Sequence, residues 1–328
     1  MKCFVTGATG FVGGHLCERL VRDGNDVIAL VRPGSKRHDL AMSGVHVAEG
    51  DMNSVNVFAQ HAEEAQVVFH LAAITKAVRT KDFARVNTDG TANLVAGLVR
   101  GGFNGRVVLL SSLAAGGPAE DEKTPRTEGD PDAPVSAYGQ SKLDAEAVLR
   151  KGLPASCSYA ILRPGAIYGP REHEIYEVLK LVRKHGRAVR FGAGVHVQMT
   201  HVEDVVDGLV RMAFQLDAAG ANYYINDERV WTFDQIISLA ARYFEMPVKI
   251  VSAPIWVGNL LGSALDLAGR YKGYPLSPLG RDKMHEIEAR FWHADSTLMR
   301  QETGWAPKWT FEEGFPATME WYRKKGML

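Results

Sequence analysis

Cysteine is scarce in this 328-residue chain: Cys3, Cys17 and Cys157 are the whole supply. An odd number at such wide spacing builds neither a disulfide framework nor a zinc cluster, and it suits a reducing cytoplasm. Net charge is missing too, because 38 Lys and Arg balance 38 Asp and Glu. A general nucleic-acid binder carries a basic excess, so no nucleic-acid partner is expected. Nor does any stretch reach the ~18–20 apolar residues that span a bilayer. The nearest candidate, Ile255 to Gly269, is interrupted by Asn259, Ser263 and Asp266. It reads as a half-buried helix packed on the rest of the chain, with a substrate mouth or a subunit contact as alternatives. The first strand follows Met1 at once, so no signal peptide is expected. Repeats and low-complexity tracts are absent. What remains is an ordinary globular composition, 46% apolar and 23% charged, with length for about two domains.

The first half alternates short apolar runs with helical patterns. Lys2 to Thr6, Asp26 to Val31, Val45 to Glu49, Val67 to Leu71, Arg106 to Ser111 and Ser158 to Arg163 are rich in Val, Ile, Leu and Phe. They show little polar alternation, as strands covered on both faces do. Between them, Phe11 to Asp23 and Val86 to Arg100 carry helical stripes that stop at glycines. The pattern predicts an α/β fold: a Rossmann-type doubly wound parallel sheet with a smaller mixed C-terminal substrate lobe. The expected division is residues 1–165 plus about 201–226 for the dinucleotide domain, and 166–200 with 227–328 for the lobe. Helices are expected near Glu172 to His185, Glu203 to Leu216, Phe233 to Phe244 and Val257 to Leu267. Trp305-Ala306-Pro307-Lys308-Trp309 is expected to pack the lobe. Pro118 to Pro134, with four prolines and six acids, is no regular element; it is either a solvated loop or a lid.

Gly7-Ala8-Thr9-Gly10-Phe11-Val12-Gly13 places three glycines between a strand and an amphipathic helix. Gly7 makes the sharp turn, Gly10 lets backbone amides approach a pyrophosphate, and Gly13 lets the helix sit close on the sheet. Gly7, Thr9, Gly10, Phe11 and Val12 are therefore the candidate cradle, with the helix N-terminus favouring negative charge. At the end of the second strand an NAD site presents an acid to the ribose hydroxyls. Here the run is Arg32-Pro33-Gly34-Ser35-Lys36-Arg37, with none. Arg32, Ser35, Lys36 and Arg37 suit a 2′-phosphate, so NADP is expected over NAD. Asp51, with Met52 beside it, follows the third strand; it either accepts a bond from the adenine amino group or caps a helix.

Tyr138 and Lys142 stand four apart on a predicted helix, on one face. A free phenol titrates near ~10; a lysine cation and a positive nicotinamide ring would lower that value. Tyr138 then exchanges a proton with a substrate oxygen while hydride moves to or from the ring. Ser111-Ser112, at the end of a preceding strand, offers a hydroxyl to hold that oxygen.

These motifs together resemble the extended short-chain dehydrogenases/reductases, also called the NAD-dependent epimerase/dehydratase family. Further landmarks are His70-Leu71-Ala72-Ala73, Val86-Asn87-Thr88-Asp89-Gly90-Thr91, Arg163 to Pro170 and His201-Val202-Glu203-Asp204-Val205. The resemblance implies Tyr138 as acid/base, Lys142 as ribose-binding partner and electrostatic helper, and Ser112, counted back from Gly117, as third catalytic member. It also implies that Leu71, Ala72 and Ala73 lie against the cofactor, and that the backbone from Pro164 to Ile167 meets the nicotinamide. A homodimer through two helices per subunit, one of them Tyr138 to Arg150, is the family's habit. Dehydratases carry an Asp-Glu pair where Leu113-Ala114 stands, and nucleotide-sugar epimerases place an arginine in the stretch that here reads Gly194 to His201 without one. Arg171, Arg187 or Arg190 remain as substitutes. The departures lean toward the dihydroflavonol-reductase-like and 3β-hydroxysteroid-dehydrogenase-like branch. The expected activity is NADP-linked interconversion of a small, partly apolar secondary alcohol and ketone, with nucleotide-sugar epimerase on bound NAD as the alternative. No metal site is expected, His201 being a packed landmark and His173 solvated.

Overall fold

The computed structural model describes residues 1–35, 44–215, 220–275, 277 and 279–328. Its first half runs β1 (Lys2–Thr6), α1 (Phe11–Arg22), β2 (Asp26–Val31), β3 (Val45–Glu49), α2 (Val55–Ala62), β4 (Val67–His70), α3 (Thr80–Phe83), α4 (Asp89–Arg100), β5 (Arg106–Leu110), α5 (Leu113–Gly116), α6 (Ala137–Gly152) and β6 (Ser158–Pro164). The second half continues β7 (Ala166–Tyr168), α7 (Glu174–His185), β8 (Arg187–Phe191), β9 (His196–His201), α8 (Val202–Phe214), β10 (Asn222–Ile225), β11 (Val230–Thr232), α9 (Phe233–Tyr243), β12 (Lys249–Ala253), α10 (Ile255–Lys272), α11 (Arg281–Ala289), β13 (Phe291–Trp292), α12 (Thr297–Thr303) and α13 (Phe311–Lys324).

Among the described residues, seven strands form one sheet in the order β3-β2-β1-β4-β5-β6-β10. Every pairing in it is parallel. The chain reverses its direction of travel between β1 and β4, which opens a ligand crevice outside the carboxyl ends of those strands. The six strands read from the sequence lie within a residue of where they were expected. β10 has no such signal, since Asn222-Tyr223-Tyr224-Ile225 is too short to read; both tyrosines are nonetheless fully buried.

Helices cover both faces. On one, Leu16 and Leu20 of α1 meet Val205, Leu209 and Met212 of α8 over Val5, Ala29 and Phe69. On the other, Phe58 of α2, Leu94 and Leu98 of α4 and Leu149 of α6 pack over Phe4, Val68 and Ile161. Trp305 corrects one expectation. It lies in the first of these cores, with Met299 of α12, not in the lobe. Its indole N–H donates to the Asp204 carbonyl at 3.0 Å, so the ring closes over α8. The lobe has its own core of Tyr168, Tyr176, Trp231, Phe311, Phe315 and Tyr322, built around β7, β9, β11 and β13, with β8 and β12 paired beside it.

The segment from Pro118 to Pro134 is irregular but fastened. Ala119 N–H donates to Phe291 O, Arg126 N–H to His293 O, and Glu128 accepts from Tyr224 N–H. Glu122, Lys123 and Pro125 wall an open cleft of about 390 Å³ with Gln198, His293 and Arg300, whose lining includes neither Tyr138 nor Ser112.

Asp132 of that segment joins a buried ion network. Arg163, 1% exposed, donates to Asp132 at 2.6 and 3.0 Å, to Glu146 at 2.9 and 2.6 Å, and to the Tyr224 hydroxyl at 3.0 Å. Removing one partner of a buried pair strands the other's charge. Arg163→Leu is therefore expected to cost about 3–5 kcal/mol of folding stability. Urea unfolding measures it, and a loss below about 1 kcal/mol would show the network to be dispensable.

Candidate active site

The glycine cradle lies between β1 and α1. Gly7 takes φ +75°, and a Cβ there would stand 2.6 Å from Ala72 N. A Cβ on Gly13 would stand 2.1 Å from the Gly7 carbonyl oxygen. Only glycine permits both approaches. Gly10 is the N-cap of α1 and supplies no side-chain bond to its first turn. Thr9 and Gly10 are exposed, Phe11 is half-buried and Val12 faces the core. The turn after β4 lies directly on this loop: Leu71 N–H donates to Thr6 O, and Ala72 N–H to Thr6 Oγ1 at 3.3 Å. Ala73 is exposed beyond it. A phosphate-bearing dinucleotide fits this cradle, because side chains are excluded and a helix N-terminus faces it.

Arg32 is exposed just past β2 and carries no ion pair among the described residues; Ser35 N–H donates to its carbonyl. Arg37 and Lys36 lie outside the described residues. Asp51 is not the cap of a helix, since α2 begins at Val55. Its Oδ1 instead accepts from Asn53 N–H and Ser54 Oγ, closing a local turn. Met52 packs against Gly90 of α4. Pro164 ends β6, and Ile167 sits in β7 opposite Thr200.

Tyr138 and Lys142 occupy the first turns of α6. Ser136 caps that helix, accepting from Gly139 N–H at 3.0 Å, while its own hydroxyl donates to Glu286 of α11. Asp282, also on α11, accepts from the backbone N–H of Ala137 and Tyr138 at 2.7 and 3.2 Å. Asn87 holds the other side. It sits in a wide turn, Ala84–Thr88, where Asp89 N–H reaches back five residues to Ala84 O. From there its amide bonds Ile74 N–H and O and the Ser141 hydroxyl. Phe83 meets the Tyr138 ring edge-on at 5.9 Å. Neither Asp282 nor Glu286 had a sequence signal, being about 145 residues downstream in an ordinary polar helix; Asn87 stood inside a noted motif without a role.

The two serines separate cleanly. Ser111 is buried, with its hydroxyl committed to Glu146 at 2.5 Å. Ser112 caps α5, accepting from Ala114 N–H at 3.1 Å, and its hydroxyl bears on the Tyr138 phenol in the sense that favours phenolate. Without the dinucleotide, burial pushes the Tyr138 phenol up to about 12; Ser112 and Lys283 pull it down, Glu286 and Glu174 push it up. Lys142 donates to Leu110 O at 2.7 Å, and burial lowers it to about 8 against the opposing pull of Glu146.

Of the arginines that might replace the missing one before His201, Arg171 pairs with Glu18 and Arg190 with Asp234. Only Arg187 stands exposed. Gln198 accepts from Ala294 N–H, and His196 stacks on Phe291. His201 caps α8 and stacks on Trp309. No cluster of metal-ligating side chains occurs among the described residues, and no helix there is long and apolar enough to cross a membrane.

Beneath the cradle, His70 is fully buried between Thr6 Oγ1 at 2.7 Å and Thr91 Oγ1 at 2.9 Å. Burial lowers it to about 3. An unfolded chain takes up that proton as pH falls past about 6.5, whereas the folded one refuses it until near 3. Stability is therefore complete above that range and lost as pH falls through it. His201, lowered to about 4, acts in the same sense and Asp204, raised to about 6, in the opposite one. The expected result is a melting temperature that drops from pH 6.5 toward 4, with a shallower drop in His70→Gln. Equal slopes in the two proteins would rule His70 out.

A family model described as the NAD dependent epimerase/dehydratase family matches residues 3–226. Ceramide reductase of Caulobacter vibrioides is 30% identical, covering 99% of this chain and 95% of that protein. UDP-glucose 4-epimerase of Vibrio cholerae is 26% identical, covering 96% and 94%. The solved structure of MoeE5 in complex with UDP-glucose and NAD superposes with a TM-score of 0.79 at 24% identity, covering 99% of each chain.

Proposed function

The chain belongs to the NAD-dependent epimerase/dehydratase family, and within that family we propose that it is an NADP-linked oxidoreductase acting on a secondary alcohol or ketone of a partly apolar molecule. The observation that carries this reading is the placement of Tyr138 and Lys142 one turn apart on α6, with Ser112 beside the Tyr138 phenol. The cradle of Gly7, Thr9, Gly10, Phe11 and Val12, with Leu71, Ala72 and Ala73 against it, would hold the pyrophosphate. Pro164 and Ile167 would flank the far end, and Arg32 and Ser35 would meet a 2′-phosphate. The dinucleotide, when bound, supplies or accepts the hydride. In the reductive direction Tyr138 would give its proton to the substrate oxygen and regain one from solvent. Ser112 would hold that oxygen beside the phenol, and Lys142, tied to Leu110 O, would serve the ribose.

A phenol held near 12 is protonated at neutral pH, which suits a proton donor. Oxidation needs the phenolate, so its rate climbs with pH while reduction stays level until the phenol ionises. The similarity to a ceramide reductase supports an apolar ketone, as does the absence of an arginine from the stretch Gly194 to His201. The second reading, nucleotide-sugar epimerase, draws on the similarity to UDP-glucose 4-epimerase.

Two experiments test the proposal. NADPH oxidation is followed with a panel of long-chain and cyclic ketones, and UDP-sugar interconversion is assayed in parallel. Tyr138→Phe is expected to lower kcat by about 10²–10⁴-fold. Interconversion of UDP-sugars with no ketone turned over would establish the epimerase instead. Separately, Arg32→Glu is expected to weaken NADPH by about 10–100-fold while sparing NADH, the loss of one charge-assisted bond. An unchanged NADPH Kd would sever Arg32 from the 2′-phosphate.

A further inference from the structure

The α10 helix is half-buried, and its buried edge is made of glycine. Its buried residues are Gly258, Gly262 and Gly269. A Cβ on Gly258 would stand 2.2 Å from the Met284 side chain, and one on Gly262 would stand 2.9 Å from Arg281 N. The helix thus lies backbone-close on α11 and throws its large side chains outward. Trp256 is 61% exposed, Leu260 63%, Leu267 68% and Tyr271 94%. At about 100° per residue these four fall within an arc of about 60° and run about 22 Å along the axis. Leu261 and Ala264 widen the stripe, and Tyr274 extends it past the helix end. Trp256, Tyr271 and Tyr274 are also the exposed large aromatics among the described residues. Elsewhere exposed apolar side chains are mostly scattered.

Cations rim this stripe. Arg270 and Lys272 project to either side of it and are exposed. On the opposite, inner face of α10, Ala77 and Val78 line a small cavity with Leu265 and Gly269, and exposed Arg79 and Lys81 follow directly in the chain. The acids nearby are bound internally: Asp266 accepts from Arg281 N–H, and Asp82 pairs with Arg85. A second copy of this chain does not answer such charge. An antiparallel helix pair would set Arg270 and Lys272 against a first turn without acids, and a parallel pair would set cations on cations.

We propose that the outer face of α10 is a membrane-docking surface that lays the protein on an anionic lipid bilayer, the Trp256–Tyr271 stripe buried at the level of the headgroups and the lysines and arginines on lipid phosphates. An amphipathic helix with an aromatic, aliphatic face and a basic rim lies in the interface plane in this way. The surface is one helix removed from the catalytic helix, since Asp282 of α11 bonds the N–H of Tyr138. The proposal concerns where the protein sits and does not depend on which molecule it reduces.

The full-length protein is floated with vesicles of phosphatidylcholine alone and of equal parts phosphatidylcholine and phosphatidylglycerol. It is expected to float with the mixed vesicles and to bind pure phosphatidylcholine about tenfold or more weakly. Leu260→Glu/Leu267→Glu should abolish flotation with an unchanged unfolding transition, because both side chains are exposed. Arg270→Glu/Lys272→Glu should erase the preference for the anionic vesicles. A wild-type protein that stays in solution with both vesicles overturns the proposal, as does flotation that survives the double glutamate variant. A dimer in sedimentation that Leu260→Glu/Leu267→Glu splits, without flotation, assigns the face to a second copy. Flotation is read without substrate, so failure to reduce ketones leaves this result standing.

Discussion

A single buried carboxylate sets the terms for the rest of the molecule. Glu146 has no solvent exposure, and an isolated ionised carboxylate there would be untenable. It is satisfied by Arg163 from β6, Arg150 one turn along α6 and the Ser111 hydroxyl at the end of β5. The Arg163 and Ser111 bonds tie α6 to β6 and to the end of β5. The helix therefore has one rotation at which this charge is answered, and that rotation brings Lys142 to the Leu110 carbonyl. The same carboxylate supports the charge of Lys142 against the cost of burial. Structure and electrostatics of the catalytic helix are thus one constraint, and Asp132 extends it into the acidic segment by bonding the other edge of Arg163.

The other end of α6 is held by different means. Asp282 and Ser136 bond its first amides, and Asn87, carried on a widened helical turn, bonds Ser141. Such a turn displaces one residue from helical register and lets its side chain reach across. Two segments distant in sequence, α11 and the Asn87 turn, thereby converge on the first five residues of α6. Burial opposes both charged forms inside that convergence, keeping the proton on the phenol and lowering the amine. A site prepared in this way begins from the neutral acid, the form a proton donor needs.

Much of this was legible in the sequence for a simple reason. Strand boundaries, the glycine cradle and the Tyr138–Lys142 spacing are short-range patterns, each set by the geometry of one element. Gly7 and Gly13 are readable because no other residue clears the backbone atoms around them. The distinction between Ser111 and Ser112 came only from resemblance; the reason, that Glu146 claims the first, needs α6 in place. Long-range partners were illegible for the same cause. Asp282 looks like any acid in a helix start, β10 is four residues without a pattern, and Trp305 was assigned to the lobe because its sequence neighbours are there. Its burial over α8 depends on a bond to Asp204 from a hundred residues away. The burial that raises the phenol in the absence of the dinucleotide is likewise invisible in sequence, where charge spacing on a helix can be read and desolvation cannot.

The α10 helix shows how one composition serves two purposes. Glycine on its inner edge lets the backbone approach α11 closely, which leaves no room there for large side chains. Helical geometry then forces Trp256, Leu260, Leu267 and Tyr271 to the opposite side. The apolar run in the sequence, which reads as a half-buried helix, turns its large side chains outward because its small residues and not its large ones make the contact. Whatever covers that stripe lies over the same α11 that positions Tyr138, so the catalytic helix and the exposed face share one support. Asp282 of α11 bonds the first amides of α6, and the glycines of α10 are what let that helix lie close on α11.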